Sequence, residues 1–229
     1  LALRRSGASF LPPVDAIVVD EAHDLEDTAG ESLGARLSSR GLSTALSRLW
    51  NERRGGGLLA AHPDAGLRAA VDETRLAVRD FFDRLRASLR AREGFGLEPL
   101  EGPMDGEDLL SPRLRGLAQA IDRGLPAAGA RDLALELGVR AHGLLGLADE
   151  VAALVAGPDA DHVCWAEWDS RGNTSVVRAP VEVGPLLKEA LWKAYGTVVL
   201  TSATLSTGKP ASFRYVRDRL GLEGGDELA

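Results

Sequence analysis

Two short runs of mostly β-branched residues, one near each end of the chain, constrain this sequence more than anything else in it. Val14-Asp15-Ala16-Ile17-Val18-Val19 and Thr197-Val198-Val199-Leu200-Thr201 have the length, branching and polar boundaries of buried parallel strands. Each is followed at once by chemically capable side chains, Asp20-Glu21 after the first and Ser202-Ala203-Thr204 after the second. Ligand sites of open α/β sheets sit at such strand C-terminal ends.

Between the runs the period becomes helical, from about Thr28 to Val155. Leu67, Val71, Val78, Phe81, Leu85 and Leu89 recur at helical spacing, as do Leu133, Leu137, Leu144, Ala148, Val151 and Val155. Gly55-Gly56-Gly57 breaks the first helical stretch from the second, and the glycine-, proline- and acid-rich segment Gly94 to Ser111 reads as an exposed loop. After Gly157-Pro158, two strands are expected at His162 to Trp168 and Thr174 to Val183, joined by the turn Asp169 to Asn173. Helices follow at Pro185 to Tyr195 and at Ser212 to Leu220, the latter stopped by Gly221. The expected fold class is therefore α/β: an ATPase core with parallel strands at both ends (1–27 and 159–229), interrupted by a large, mostly α-helical insertion (28–158).

The acids after the first strand form a Walker B arrangement. Hydrolysis of a nucleoside triphosphate needs a divalent ion on the phosphates and a group that orients the attacking water. Asp20 is expected to hold Mg2+, Glu21 to act as general base on the water, and His23 to sense the second motif. Two plainer explanations compete. Asp24, Glu26 and Asp27 suit a helix N-terminus, and Asp20, Glu21, His23 and Asp24 are residue types of a metal cluster. A lone histidine disfavours a transition-metal site, and the whole string Val-Val-Asp-Glu-Ala-His favours the ATPase reading. Ser202 and Thr204 both donate and accept hydrogen bonds. Alone they read as an ST-turn; from a neighbouring strand they reach His23 and couple hydrolysis to the rest of the protein.

The two motifs resemble motifs II and III of superfamily 2 helicases, and the long helical segment between them resembles the arch domain of the DinG/XPD branch. Leu11-Pro12-Pro13-Val14-Asp15, Asp24-Leu25-Glu26-Asp27, Pro180-Val181-Glu182-Val183 and Arg219-Leu220-Gly221-Leu222 also look DinG-like. The resemblance implies a partial RecA-like P-loop ATPase domain of an ATP-dependent 5′-to-3′ DNA helicase of replication or repair. It implies ATP and Mg2+ as cofactors, single-stranded or forked DNA as partner, and a cytoplasmic setting. Many members of that branch carry an iron–sulfur cluster, whose domain lies upstream of the first motif as does the phosphate-gripping loop, and a second motor domain with its arginine finger is expected downstream of the second. Gly208-Lys209 is the only Gly-Lys pair, with Ala203 where a Walker A needs glycine and Pro210 where it needs a hydroxyl. With Met104 the only methionine and Leu1 the first residue, a fragment inactive by itself is expected.

Bulk properties narrow the alternatives. The composition, 45% hydrophobic and 27% charged, is that of a globular chain, and a net charge of −7 excludes a uniformly basic nucleic-acid coat. Cys164 is the only cysteine, so this chain forms no internal disulfide and cannot ligate a four-cysteine cluster. No apolar run approaches the roughly 20 residues that span a bilayer, so no membrane partner is expected. Lys188, Lys193 and Lys209 are the only lysines, a bias best explained by a GC-rich genome.

Twelve arginines against six acids lie between Arg36 and Arg92. Arg68, Arg75, Arg79, Arg86 and Arg90 form one helical stripe that either tracks the phosphates of single-stranded DNA or is a solvated face paired with Asp72, Asp80 and Asp83. Trp50, Phe81 and Phe82 are candidates to stack bases, although Phe81 suits a core, and Trp165 and Trp168 suit strand packing. Two other functions stay open: a helical nucleic-acid- or protein-binding module with a vestigial ATPase edge, and a DEAH-type RNA helicase.

Overall fold

A computed structural model describes residues 14–90, 94–125, 130–206 and 212–227. Its α/β fold is mostly helical, with parallel strands in one sheet, and it divides into two compact units. Leu11 to Pro13 and Gly208-Lys209-Pro210 lie outside the described residues.

The first unit comprises Leu1–Ala35, Ala160–His162 and Ala179–Ala229. Strand β1 (Ala16–Val19) pairs in parallel with the strand Thr197–Leu200, with Val18 beside Val199 and Val19 beside Leu200. Helix α1 (Leu25–Leu33) carries Glu26 and Asp27 in its first turn, where they complement the partial positive charge of the exposed N–H groups. Its buried stripe, Leu25, Ala29 and Leu33, packs with Val183, Leu187, Leu191 and Leu220, and Ile17, Val19 and Leu200 of the strand pair rest on that cluster. The other face of the pair is bare: Val18 is 68% exposed and Val199 46%. The expectation of buried strands is thus corrected. Alternate residues point to opposite faces, and among the described residues only one face of this pair is covered.

The second unit comprises Arg36–Asp159 and Val163–Arg178. Its helices are α2 (Ser39–Leu49), α3 (Ala65–Ser88), α4 (Leu110–Gly124) and α5 (Arg131–Ala156). Ser38 Oγ caps α2 by accepting from Gly41 N (3.0 Å), and Asp64 Oδ1 caps α3 by accepting from Gly66 N (2.7 Å). Leu67, Val71, Val78, Phe81 and Leu85 line the buried face of α3 and meet Leu114, Leu117 and Ile121 of α4 and Leu137, Leu144 and Val151 of α5. Burying each such side chain contributes about 1.5–3 kcal/mol.

A four-stranded sheet completes the α/β picture, in the order β2 (Ala35–Ser38), β5 (Thr174–Pro180), β4 (His162–Trp168), β3 (Gly96–Leu100). The strand Thr197–Leu200, the last among the described residues, is therefore β6. Two of these strands were not expected. β2 lies inside the segment read as helical, and β3 inside the segment read as a loop, where it pairs antiparallel with β4. The hairpin of β4 and β5, expected with the ATPase core, packs almost wholly with the helical unit. Leu37, Ala166, Trp168 and Val176 point from the sheet into the helical core, and burying them there outweighs sequence proximity. After β5 come α6 (Gly184–Leu187), running into a π-helical turn (Lys188–Trp192), and α7 (Arg214–Leu220).

Candidate active site at the paired strand ends

The register of β1 and β6 builds the site. With Val19 beside Leu200, the next residues along each strand are neighbours, so Asp20 meets Thr201 and Glu21 meets Ser202. Thr201 N donates to Val19 O (2.9 Å) and Ala22 N to Thr201 O (3.0 Å), carrying the pairing past the strand ends. The chain then turns sharply at Glu21, whose φ of 51° and ψ of 44° lie in the left-handed region. It is the only non-glycine residue with positive φ among the described residues. Such a conformation costs a residue with a Cβ about 1–3 kcal/mol and is concentrated at functional positions.

Asp20 Oδ1 accepts from its neighbour Glu21 N (3.0 Å) and from Thr201 Oγ1 (3.1 Å), which orients the carboxylate at the strand end. Ser202 Oγ lies 2.8 Å from His23 Nδ1 and donates to Glu21 Oε2 at 3.4 Å. The same Nδ1 is 3.2 Å from Glu21 Oε2, and His23 Nε2 is 3.2 Å from Asp24 Oδ1. Two proton arrangements satisfy this geometry. With the proton on Nδ1, His23 donates to Ser202, which donates to Glu21. With the proton on Nε2, His23 donates to Asp24 and receives the Ser202 hydroxyl. The serine thus links the histidine and the glutamate, and its hydroxyl proton reports which arrangement holds.

The site is open to solvent, with the Glu21 side chain 64% exposed and that of His23 42%. Among the described residues, no three His, Cys, Asp or Glu side chains converge as a metal cage. The donor set fits a hard ion such as Mg2+, which takes one or two carboxylates and leaves its other positions to waters and phosphate oxygens. Asp20, oriented by Thr201, is the carboxylate that could hold such an ion.

Asp20, Glu21, His23 and Ser202 are brought together, whereas Thr204 touches the group only through its backbone N–H, 3.4 Å from Ser202 Oγ. Among the described residues its hydroxyl makes no hydrogen bond to His23. Sequence reasoning missed Thr201 as a member of the site and weighed Asp24 only as a helix-start acid or as part of a disfavoured metal cluster. Thr201 becomes visible only when the register is known, since it is the residue opposite Asp20.

The arginine stripe fares differently. Arg68 Nη1 donates to the carbonyls of Leu59 (3.1 Å) and His62 (2.7 Å), and its guanidinium lies over the Trp50 ring at 5.6 Å. Arg75 binds Asp72 and the Trp50 carbonyl (2.7 Å). These two arginines tie the segment after α2 to α3, because loop carbonyls left without partners are costly. Arg79 is exposed on α3, and Arg90 lies beyond the helix end. Phe81 and Phe82 are both buried, packed edge to face with centroids 5.1 Å apart, so neither is a base platform. In β4, Trp168 is buried, and Trp165 donates from Nε1 to Glu167 Oε1 (2.7 Å).

The chain is distantly similar to a curated protein named for DinG. The 3′-5′ exonuclease DinG of Bacillus subtilis (strain 168) is 26% identical to it over 251 residues, covering 93% of this chain and 26% of the relative. The chain thus spans about a quarter of that relative's length. No protein-family model matches it. The likeness supports a distant DinG-like relationship. No helix among the described residues is long and apolar enough to cross a membrane.

Proposed function

We propose that the first unit is the hydrolytic edge of a RecA-like motor domain in a DinG-like, ATP-dependent DNA helicase. One observation carries this reading: two parallel strands deliver paired carboxylates and paired hydroxyls to the same sheet end, linked through His23 and Ser202. In this reading Asp20 holds Mg2+ on the ATP phosphates, and Mg2+ supplies charge neutralisation there. Glu21 orients and deprotonates the attacking water. Ser202, through His23, passes the state of the site to the segment that follows β6. The helical unit, in the position of an arch, lies along single-stranded or forked DNA. The phosphate-gripping loop and the second motor domain are supplied by other parts of the longer protein.

The test is Glu21→Gln in the full-length protein. ATP turnover falls by at least a hundredfold while nucleotide binding stays within a few-fold of the parent, as for loss of a general base worth about 10²–10⁴. Turnover near the parent's level refutes the assignment. The name of the relative favours a second reading, in which Asp20 and Glu21 serve hydrolysis of a DNA 3′ end. Release of nucleotides from a 3′-labelled strand, lost in Glu21→Gln and independent of ATP, would select it.

A further inference from the structure

Thr201 enters the strand-end site twice, through its backbone and through its side chain. Its N–H donates to Val19 O (2.9 Å) and its carbonyl accepts from Ala22 N (3.0 Å), so the residue is fixed to the chain on both sides of Asp20 and Glu21. Its hydroxyl then donates to Asp20 Oδ1 (3.1 Å), the oxygen that also accepts from Glu21 N (3.0 Å). Two donors thus meet one oxygen of the carboxylate. Among the described residues no hydrogen bond reaches the other oxygen, Oδ2.

The last torsion of an aspartate is soft, so its two oxygens exchange places or present themselves together unless something holds them. The Glu21 N–H is a restraint from the next residue only. The Thr201 hydroxyl adds an anchor from a different strand, whose place is set by the parallel register of Val19 with Leu200. With Oδ1 committed to two donors, the carboxylate offers Oδ2 alone to an incoming ion. That arrangement separates two hard cations. Mg2+ demands near-octahedral geometry and keeps most of its waters, so a single fixed oxygen suits it, whereas Ca2+ accepts a carboxylate through one oxygen or through both.

We propose that Thr201 is a positioning residue for the divalent ion: its hydroxyl locks Asp20 so that one oxygen is offered, which raises affinity for Mg2+ and gives Ca2+ no matching advantage. The proposal deepens the motor reading and rests on it for the presence of the ion. The next residue, Ser202, touches His23 and Glu21, so one short segment after β6 holds both the ion's carboxylate and the carboxylate assigned to the water.

The test is the affinity of the full-length protein for N-methylanthraniloyl-ADP, read by fluorescence in EDTA, in Mg2+ and in Ca2+. The gain in affinity from EDTA to each ion measures how well that ion is held with the nucleotide. Thr201→Val keeps the branched shape and both backbone hydrogen bonds and removes only the hydroxyl. It lowers the Mg2+ gain about tenfold, the lower end of what loss of a group orienting a metal ligand costs, because Thr201 is exposed to water. Affinity in EDTA stays at the parent's level, the Ca2+ gain does not fall, and Thr201→Ser restores the Mg2+ gain. The proposal is overturned by a parent-like Mg2+ gain in Thr201→Val, by equal losses of the Mg2+ and Ca2+ gains, or by no recovery in Thr201→Ser. A loss of affinity in EDTA also overturns it, since that marks a merely structural role. A parent whose affinity gains nothing from Mg2+ sinks it together with the motor reading. A parent-like Mg2+ gain in Thr201→Val leaves the motor reading standing, and ATP turnover in Glu21→Gln tests that reading with the Thr201 hydroxyl in place.

Discussion

Glu21 carries a backbone conformation that suits glycine better than glutamate, and this makes a quantitative prediction. At φ 51°, ψ 44°, a side chain with a Cβ costs roughly 1–2 kcal/mol relative to glycine. Glycine in turn loses about 0.5–1 kcal/mol more backbone entropy on folding than alanine. Glu21→Gly and Glu21→Ala remove the same contacts, to Ser202 at 3.4 Å and to His23 at 3.2 Å, so those losses cancel in the comparison. The remaining difference leaves the glycine variant more stable than the alanine variant by about 1 kcal/mol. For a chain of this size that is a melting temperature roughly 2–4 °C higher. Urea unfolding followed by circular dichroism measures it, with equal m values required of both proteins. Both variants lack the carboxylate, so the comparison is one of stability alone. An alanine variant equal to or more stable than the glycine variant refutes the idea that the turn at Glu21 stores strain.

Other substitutions probe the rest of the molecule. Ser202→Ala removes the hydroxyl between His23 and Glu21; since the site is open to water, stability changes by less than about 0.5 kcal/mol, while DNA stimulation of ATP turnover in the full-length protein is lost. Phe81→Ala empties a fully buried position in the helical core and costs about 3–5 kcal/mol, measured by denaturant unfolding. Gly96→Ala places a methyl inside the volume of the Trp168 ring and costs about 1–3 kcal/mol, with a changed near-UV spectrum as the indole moves. Burial pushes the Glu167 carboxyl up, but hydrogen bonds from Trp165 and Arg36, together with the Arg36 charge, hold it below its ordinary value. Its folded pKa is thus lower than its unfolded one. The resulting stabilisation is complete above the ordinary carboxylate range and is lost as pH falls through the lowered value. Arg36→Met therefore narrows the stability difference between neutral and acidic pH, as acid titration of unfolding shows.

Local pattern alone was enough for part of this protein. The β-branched runs at both ends, the acids and hydroxyls that follow them, and the long helices between are visible because each depends on neighbours a few residues away. The α3 periodicity from Leu67 to Leu85 is the clearest case, with one buried face and a capping aspartate. Short strands such as β2, of four residues including Arg36, and β3, of five including Pro99, carry too little alternation to stand out from a helical or loop background. Their strand state is decided by partners distant in sequence: β3 needs β4, and the core beneath the sheet needs Leu37 and Trp168. Charge shows the same division. Sequence spacing aligned five arginines on a helix, but tertiary contacts tie Arg68 and Arg75 to backbone carbonyls, set Arg86 against the turn at Gly172 and pair Arg90 with Glu98. At the strand ends, residue types named the candidate chemistry. The parallel register of β1 with β6 decided which hydroxyl meets which carboxylate, because hydrogen bonding between strands, and not the order of residues along either one, sets that alignment.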